Sequence, residues 1–166
     1  MTSSCPRFLV AVFLLALGVS SSAFAACSTQ PLPDKEAFRL SAIPLDTRSV
    51  QVKIAIEPCY YLFQHKLSFS LEPDVLGKVS LPVGERKNDP HFGDTMIYRR
   101  DLAIVLPFTQ ELSRGSAYML RVNYQGCAEA IGLCYPAAAQ MLTLKVPAAM
   151  VPGEEVFSTT PKKKWF

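Results

Sequence analysis

The chain has 166 residues, of which 49% are hydrophobic and 19% charged, and its 17 basic residues are nearly balanced by 14 acidic ones. A balance this close to neutrality lacks the electrostatic signature of nucleic-acid-binding proteins, and no nucleic-acid partner is predicted. The length that remains after the N-terminal segment described next, roughly 140 residues, suits one domain with a single hydrophobic core.

Residues 1–25 have the three parts of a secretory signal peptide. Arg7 supplies a positive charge, residues 8–19 (FLVAVFLLALGV) form an apolar run, and residues 23–25 (AFA) place alanines at a cleavage site. The apolar run is too short for a comfortable membrane span. Because no stop-transfer segment follows, we expect an exported protein that is either released or lightly tethered.

Four of the five cysteines would remain after cleavage, because Cys5 lies in the signal peptide. Cys27 has two interpretations: it is the acylated cysteine of a lipoprotein, or it lies in a flexible mature N-terminus. Phe24 stands where lipoprotein sites usually carry an aliphatic residue, which favours the second. Cys27 can also bridge Cys59, whereas lipidation would leave Cys59 free, and the sequence does not decide between these pairings.

After a polar lead-in at residues 26–35, predicted to be flexible, short runs of alternating apolar and polar residues dominate the chain. They occupy residues 49–57, 66–72, 117–125 and 142–146. A period of two indicates strands with one buried and one solvated face, as in antiparallel sheets. Residues 102–106 (LAIVL) are continuously apolar, which predicts a strand covered on both faces or a core strand.

Turn-forming clusters separate these runs, and thirteen prolines leave no window for a long helix. Strands at this spacing predict an all-β sandwich over residues 36–147. Residues 148–166 form a flexible basic tail that ends in three lysines, a tryptophan and a phenylalanine. This tail is either a weak membrane-surface tether or a solvated segment, and we favour the solvated segment.

Cys127 follows one alternating strand and Cys134 precedes another, so the two are expected to face each other across the base of a hairpin. Directly opposed antiparallel residues have Cα atoms about 4.5 Å apart, which is within reach of a disulfide. A bridge over so short a loop adds only about 2.5 kcal/mol by chain entropy, against roughly 4.7 for about 100 residues. The pair is therefore either an inert staple or a disulfide that is made and broken, and the spacing alone does not decide between the two.

The residues around this pair resemble a known family. Residues 124–136 (YQGCAEAIGLCYP) are similar to the active-site hairpin of the N-terminal periplasmic domain of the thiol:disulfide interchange protein DsbD. Residues 60–63 (YYLF) resemble the tyrosine-rich strand beside that active site. Residues 89–93 (DPHFG), followed by residues 97–99 (IYR), resemble its cap loop and the next strand. The resemblance covers most of residues 36–147.

The resemblance implies an immunoglobulin-like antiparallel β-sandwich that accepts electrons from a thioredoxin-like donor domain and passes them to disulfide-bearing periplasmic proteins. It also implies that Cys134 forms the mixed disulfide with partners while Cys127 resolves it. No cofactor is implied, and with only His65 and His91 as histidines no metal site is predicted. The residues expected to surround the active site are Tyr60, Tyr61, Phe63, Asp89, His91, Phe92, Gly93, Glu129 and Tyr135.

Specific roles can be assigned within this set. Asp89 and Glu129 are candidate acids that raise a cysteine pKa by like charge or assist proton transfer. Phe92, with His91 beside it and Gly93 providing the bend, is expected to form a lid that limits attack on the sulfurs. A plain solvated carboxylate is at least as good an interpretation for Glu129.

Three features depart from the family pattern. An extra residue around Ile131 lengthens the loop between the cysteines, and His91 stands where a shielding phenylalanine is expected. His91 is then either an ordinary loop histidine or a hydrogen-bond partner of a thiolate. Cys59 is also unexpected, and we interpret it as a buried apolar thiol in preference to a third redox participant.

The leading hypothesis is a free-standing periplasmic thiol–disulfide exchange protein, a component of protein-disulfide reduction, which a separate donor must reduce. The full family protein continues into a membrane domain and a thioredoxin-like domain, and we expect this chain to have neither. Two alternatives stay open. One is a non-catalytic sandwich that binds a protein partner, with the hairpin disulfide purely structural. The other is a copper-handling relative.

Overall fold

The structure is a computed structural model that describes residues 27–149. The predicted signal peptide at residues 1–25 and nearly all of the predicted tail at residues 148–166 lie outside the described residues. Within the described part, strands are the main elements, and α1 (Asp34–Ala37) is the one α-helix, with two 3₁₀ turns at Gln64–Lys66 and Glu129–Ile131. No helix of residues 27–149 is long and apolar enough to cross a membrane.

Eleven strands form in the described residues. In chain order they are β1 (Phe38–Pro44), β2 (Ser49–Ile56), β3 (Tyr60–Phe63), β4 (Ser68–Glu72), β5 (Glu85–Asp89), β6 (Gly93–Tyr98), β7 (Leu102–Pro107), β8 (Ala117–Tyr124), β9 (Gly126–Ala128), β10 (Leu133–Cys134) and β11 (Ala138–Lys145). They pair as three sheets, β1-β2-β7, β10-β9-β3-β6-β5 and β11-β8-β4. Every pairing is antiparallel, and the fold is the expected immunoglobulin-like β-sandwich.

The alternating runs predict the long strands well. The strands predicted at residues 49–57, 66–72 and 117–125 are confirmed as β2, β4 and β8. Their buried positions alternate with exposed or partly exposed ones, as the period of two requires. The last run begins earlier than expected, because β11 pairs along its whole length with β8 from Ala138 onward.

Residues 102–106 differ from the prediction of a strand covered on both faces. Leu102, Ile104 and Leu106 of β7 are buried, whereas Ala103 and Val105 between them are exposed. β7 lies at the edge of its three-stranded sheet, and only one face of that sheet packs on the core. The continuous apolar run thus describes a one-sided strand whose outer positions also happen to be apolar.

The main core is built from all three sheets. It includes fully buried side chains such as Phe38, Ile54, Leu62, Leu106 and Leu120. Each side chain of this size stabilises the fold by roughly 1.5–3 kcal/mol through the apolar surface that it removes from water. Phe38 is also the centre of an aromatic group, with edge-on contacts to the rings of Tyr60, Tyr124 and Tyr135.

Strand β3 is buried on both faces, which is unusual for a strand of antiparallel sheet. Tyr60 and Leu62 face the main core. Tyr61 and Phe63 point the other way and form a second, smaller cluster with Ile97 and Cys127, against which Cys134 packs. The alternation of side chains along one short strand therefore joins the fold's core to the candidate site.

Residues 27–35, predicted to be a flexible lead-in, contact the sandwich at several points. The backbone N–H of Leu32 donates to the hydroxyl of Tyr60 at 2.9 Å, and its carbonyl accepts a hydrogen bond from the hydroxyl of Tyr135. Cys27 is joined to Cys59 by a disulfide.

This second disulfide corrects the interpretation of Cys59. The prediction that Cys59 is a buried free thiol is wrong in this structure, because its sulfur is bonded to that of Cys27. A sulfur in a disulfide also has no valence left for a lipid thioether, so lipidation of Cys27 and this bridge exclude each other. The position of Cys27 on the surface near the β2–β3 turn is what brings the two sulfurs together.

We expect Gly126→Ala to destabilise the domain by roughly 2–3 kcal/mol, because an added Cβ would collide with Phe38, the carbonyl oxygen of Tyr61 and Leu62. Urea unfolding monitored by circular dichroism measures the loss. The control is Gly132→Ala, where nothing lies within 4 Å and only the left-handed backbone (φ 64°) opposes the change. That variant should lose about 1 kcal/mol. Equal losses would contradict this account of the packing.

Candidate functional site

The two hairpin cysteines lie directly opposite each other on β9 and β10, as the sequence predicts. Cys134 is the register partner of Cys127, the two form a disulfide, and their Cα atoms are 3.9 Å apart. The loop between them is the 3₁₀ turn Glu129–Ile131, closed by Gly132 at φ 64°. The left-handed conformation at Gly132 favours glycine. The extra residue near Ile131 is thus absorbed in the turn while Cys127 and Cys134 stay paired.

The two sulfur-bearing residues are not equally accessible. Cys127 is 1% exposed and belongs to the second cluster with Tyr61 and Phe63. Cys134 is only partly buried and packs against the edge of that cluster. Ile131 and Leu133 of the same hairpin are exposed apolar residues. A partner approaching from solvent therefore meets Cys134 and an apolar loop before it meets Cys127.

Tyr61 and Asp89 connect the site to the loop between β5 and β6. Tyr61 is the register partner of Cys127 on the neighbouring strand β3. Its hydroxyl donates to Oδ2 of Asp89 at 2.9 Å, and both residues are buried. Burial raises the pKa of the Tyr61 hydroxyl, and the Asp89 carboxylate that accepts its hydrogen bond raises that pKa further. Tyr61 is therefore a fixed hydrogen-bond donor at any ordinary pH.

The Asp89 carboxylate also organises its own loop. Its Oδ1 accepts the backbone N–H groups of His91 at 2.9 Å and Phe92 at 3.2 Å. Burial by itself opposes the charged form, but these donors and the Tyr61 hydroxyl outweigh it, so the pKa of Asp89 lies below its ordinary value. Asp89 is consequently ionised at neutral pH, and it holds the loop by hydrogen bonds to the backbone.

Phe92 lies over the second cluster. Its ring packs edge-on against Phe63, with centroids 4.7 Å apart, and contacts His65 at 5.2 Å. The ammonium of Lys66 lies 4.8 Å from the centre of the Phe92 ring. Because 38% of its surface remains exposed, Phe92 is held by contacts on one side only. Gly93, at φ 65°, provides the bend that the sequence assigns to it.

His91 is exposed beside Phe92. The contact that the structure gives it is through its backbone N–H, which donates to Asp89. His65, which the sequence analysis does not place in the site, is the histidine that packs on Phe63 and Phe92. Its Nδ1 lies 3.0 Å from the hydroxyl of Thr95 on β6.

Glu129, the first residue of the turn between the cysteines, is held by two cations. Its carboxylate accepts hydrogen bonds from Arg99 at 2.6 and 2.9 Å and from Lys87 at 3.0 Å. The Arg99 guanidinium is the main reason that the pKa of Glu129 falls to about 2. Glu129 therefore has no proton to give at neutral pH, and its charge is neutralised locally.

Lys87 and Arg99 are residues that the sequence analysis missed. Besides binding Glu129, both cations face the ring of Tyr61, at 5.1 Å for Lys87 and 5.9 Å for Arg99. Arg99 also pairs with Glu85 of β5 at 3.0 Å. The signal that would have found Lys87 is the alternation of Glu85, Lys87 and Asp89, which share one face of β5, but an all-polar strand has no hydrophobic period to reveal it. Arg99 is the last residue of the IYR block in the family resemblance, which gave it no role in the site.

Tyr60 and Tyr135 lie on the core side of the hairpin. Their rings are stacked with centroids 6.4 Å apart. The backbone N–H of Tyr135 donates to the carbonyl of Gly126 at 2.9 Å, and Gln125 donates its side-chain amide to the carbonyl of Tyr135, also at 2.9 Å. Burial raises the pKa of Tyr135 to about 12, with a further contribution from Tyr60. Tyr135 thus fixes the chain directly after Cys134.

Most of the predicted residues lie on the two sides of strand β3, whose Tyr61 is the register partner of Cys127. Tyr61, Phe63, Asp89 and Phe92 lie on the outer side, and Tyr60 and Tyr135 on the core side. Within residues 27–149, no group of three or more His, Cys, Asp or Glu residues is placed to hold a metal ion. The chemistry that this arrangement offers is attack on the disulfide at Cys134, the partly exposed cysteine, while its partner Cys127 is buried.

Sequence comparison with known proteins identifies the family that the sequence motifs indicate. A family model for the N-terminal part of thiol:disulfide interchange protein DsbD matches residues 28–146. The chain is 41% identical over 120 residues to thiol:disulfide interchange protein DsbD 2 of Pseudomonas aeruginosa, covering 72% of this chain and 19% of that protein. It is 36% identical over 129 residues to DsbD of Neisseria meningitidis serogroup A, covering 77% of this chain and 20% of that protein. The chain thus spans about a fifth of the length of these relatives.

Two solved structures are similar in fold. One is the crystal structure of the Neisseria meningitidis DsbD N-terminal domain in the reduced form, with a TM-score of 0.62, 30% identity, and coverage of 70% of this chain and 90% of that chain. The other is the complex between the DsbD N-terminal and PilB N-terminal domains from the same organism. It has a TM-score of 0.61 and 30% identity, and the match covers 78% of this chain and 99% of that chain.

Glu129→Gln is expected to destabilise the domain at pH 7 by about 1 kcal/mol, a small value because the carboxylate is 36% exposed and water screens the ion pairs. Since the folded-state pKa is lowered to about 2, this stabilisation is present above the ordinary pKa of 4.5 and is lost as the pH falls from 4.5 towards 2. The difference between the variant and the wild type should therefore vanish near pH 2. Thermal unfolding at several pH values measures it.

The matched control is Glu111→Gln, because Glu111 pairs with Arg48 through side chains that are 59% and 64% exposed. Its effect should be near zero at every pH. A Glu129→Gln penalty that persists unchanged at pH 2 would mean that the carboxylate acts through something other than its charge.

Proposed function

The chain belongs to the family of DsbD N-terminal domains, and on that premise we propose that it is a thiol–disulfide exchange protein whose Cys127–Cys134 pair alternates between disulfide and dithiol. The observation that carries this proposal is the unequal burial of the pair, with Cys127 1% exposed and Cys134 open at the hairpin edge. A staple whose only task is stability has no need to leave one of its two cysteines partly exposed. Asp89 and Tyr61 hold the loop that carries Phe92 next to this pair.

The exchange reaction proceeds in two displacements. A donor thiolate attacks Sγ of Cys134, the bond to Cys127 breaks, and Cys127 leaves as a thiolate. The second thiolate of the donor then attacks the mixed disulfide, Cys134 leaves, and the donor becomes a disulfide. The donor dithiol has lost two electrons and two protons, and Cys127 and Cys134 have become a dithiol. The same steps in reverse, with Cys134 as nucleophile, reduce an acceptor disulfide.

The surrounding residues have distinct tasks in this proposal. The Phe92 ring packs on Phe63 of the cluster that contains Cys127, and in this proposal it limits access to the sulfurs until a partner displaces it. Asp89, ionised and hydrogen-bonded to the loop backbone, keeps the lid in place. Since neither Asp89 nor Glu129 holds a proton at neutral pH, protons released or taken up in the exchange pass to water or to the partner.

The partners proposed are a thioredoxin-like donor domain and disulfide-bearing acceptor proteins in the periplasm. A domain complex of the Neisseria relative, with the PilB N-terminal domain, supports a protein partner at this fold. The apolar Ile131 and Leu133 beside Cys134 are suited to contact such a partner. The competing proposal is a binding module with a purely structural disulfide, which the half-open Cys134 does not favour.

Cys127→Ser should accumulate a mixed disulfide through Cys134, because the resolving thiol is gone. The purified variant is mixed with the oxidised form of a thioredoxin-like domain, and adducts are quantified by non-reducing electrophoresis and mass spectrometry. The matched variant Cys134→Ser keeps only the buried Cys127 and should give at least about tenfold less adduct. Equal adduct from both would reverse the assignment of roles, and no adduct from either would favour the binding module.

Phe92→Ala should speed reduction of the Cys127–Cys134 disulfide by dithiothreitol by roughly twofold to twelvefold. This range corresponds to the 0.5–1.5 kcal/mol of one aromatic pair, here the contact between Phe92 and Phe63. Met119→Ala, on a different sheet and similarly exposed, is the control and should leave the rate unchanged. His91→Phe is expected to slow the same reaction. An unchanged rate in Phe92→Ala would remove Phe92 from the lid.

A further inference from the structure

The second disulfide lies close to the first in the sheet. Cys59 directly precedes β3, in which Tyr61 is the register partner of Cys127. The carbonyl of Cys59 accepts the backbone N–H of Glu129, at 2.8 Å, and Glu129 is the first residue of the turn between the active-site cysteines. Cys27, its partner, is exposed. Cys27, at one end of the bridge, is thus exposed to solvent, while Cys59, at the other end, is hydrogen-bonded to the hairpin that carries Cys127 and Cys134.

The backbone at Cys59 is one that an L-residue adopts at a cost. Cys59 has φ 72° in a tight turn in which the N–H of Tyr60 donates to the carbonyl of Glu57 at 3.1 Å. Pro58 precedes it, so the turn has the proline–glycine pattern of a type II turn with cysteine in the glycine position. Glycine would occupy this position without strain. A cysteine here is explained by its bond to Cys27.

The segment that follows Cys27 reaches the active-site hairpin through Leu32. The Leu32 N–H donates to the hydroxyl of Tyr60 at 2.9 Å, and the Leu32 carbonyl accepts from the hydroxyl of Tyr135. Tyr135 is the residue directly after Cys134, and its ring stacks on that of Tyr60. The Cys27–Cys59 bridge, Leu32 and Tyr135 therefore form a continuous physical connection to Cys134.

We propose that Cys27–Cys59 is a second thiol–disulfide site, which takes a dithiol as its reductant and, when closed, holds Leu32 against Tyr135 and so favours the disulfide form of Cys127–Cys134. The inference rests on the proposed function in one respect: the first pair must itself be reducible. In this inference Tyr135 is a positioning residue: it follows Cys134 directly and fixes the backbone at Cys134.

Opening the second site is a balanced exchange. A thiolate of the reducing dithiol attacks the exposed Sγ of Cys27, and Cys59 leaves as a thiolate and takes up a proton. The second thiol of the reductant displaces Cys27 from the mixed disulfide. Two electrons and two protons pass from the reductant to Cys27 and Cys59, and the reductant becomes a disulfide.

The direction of the effect on the first pair follows from positioning. With the second site closed, the hydrogen bond from Tyr135 to Leu32 holds the residue after Cys134, and Cys134 stays opposite Cys127. When the Cys27–Cys59 disulfide is reduced, the segment from Cys27 to Leu32 is no longer covalently attached at Cys59. The thiols of Cys127 and Cys134 then meet less often, so the population of the dithiol form of this pair increases. The coupling is reciprocal, so reduction of the first pair must also ease reduction of the second.

The test uses the full chain equilibrated in dithiothreitol redox buffers, with alkylation and peptide mass spectrometry to score each pair separately. Cys27→Ala combined with Cys59→Gly removes the bridge, leaves no odd thiol and suits the left-handed backbone at position 59. We expect it to shift the Cys127–Cys134 equilibrium towards the dithiol by roughly threefold to tenfold, the worth of one hydrogen bond. Tyr135→Phe, with the bridge intact, should give a similar shift.

Combining the bridge variant with Tyr135→Phe should shift the equilibrium no further, because both act through the same connection. Tyr118→Phe is the matched control: its hydroxyl accepts the N–H of Ser113 at 2.9 Å, away from the hairpin, and it should change nothing. An unshifted equilibrium in the bridge variant, additive shifts in the combination, or a Cys27–Cys59 pair that dithiothreitol never opens would each overturn the inference. A Cys127–Cys134 pair that no buffer reduces would overturn the proposed function as well.

Discussion

The structure depends on a strand of four residues that is buried on both faces. Tyr60 and Leu62 of β3 fill the main core, while Tyr61 and Phe63 fill the second cluster, where the disulfide also lies. Because the two sets alternate along one backbone, a shift of one residue in the pairing of β3 would exchange them. It would place polar hydroxyls in the wrong layer and move Tyr61 away from Cys127. The packing of the fold and the placement of the reactive pair are thus one constraint.

A single carboxylate extends this constraint to the loop above the site. Asp89 is buried and accepts hydrogen bonds from the Tyr61 hydroxyl and from two backbone N–H groups of the β5–β6 turn. A buried charge is tolerated only when such donors replace its water, and here the donors come from both the strand and the loop. The loop that carries Phe92 is therefore attached to the strand that faces Cys127, and the two parts of the site keep a common geometry.

The features that were predictable from sequence are those written in local patterns. The two-residue period shows β2, β4 and β8, and the short spacing of Cys127 and Cys134 between strands shows the hairpin. The sequence did not predict β5, because all its residues are polar. Its partly buried face contacts the rest of the sheet through the ion pair of Lys87 and the hydrogen-bonded carboxylate of Asp89, and not through apolar side chains. The bridge between Cys27 and Cys59 and the ion pairs of Glu129 join residues that are 30 or more positions apart. Residues this far apart in sequence come into contact only when the sheet has folded, so a local sequence pattern does not predict them.

The charged residues around the hairpin form a row across the outer surface of the five-stranded sheet, from Glu85 through Arg99 to Glu129 and Lys87. These groups are between a fifth and a half exposed, so dissolved ions screen them. The Debye length falls from about 10 Å at 0.1 M salt to about 3 Å at 1 M. The ion pairs of Glu129 with Lys87 and Arg99, which hold the turn between the cysteines, accordingly weaken in concentrated salt. The flexibility of the hairpin therefore increases with the salt concentration of the solution.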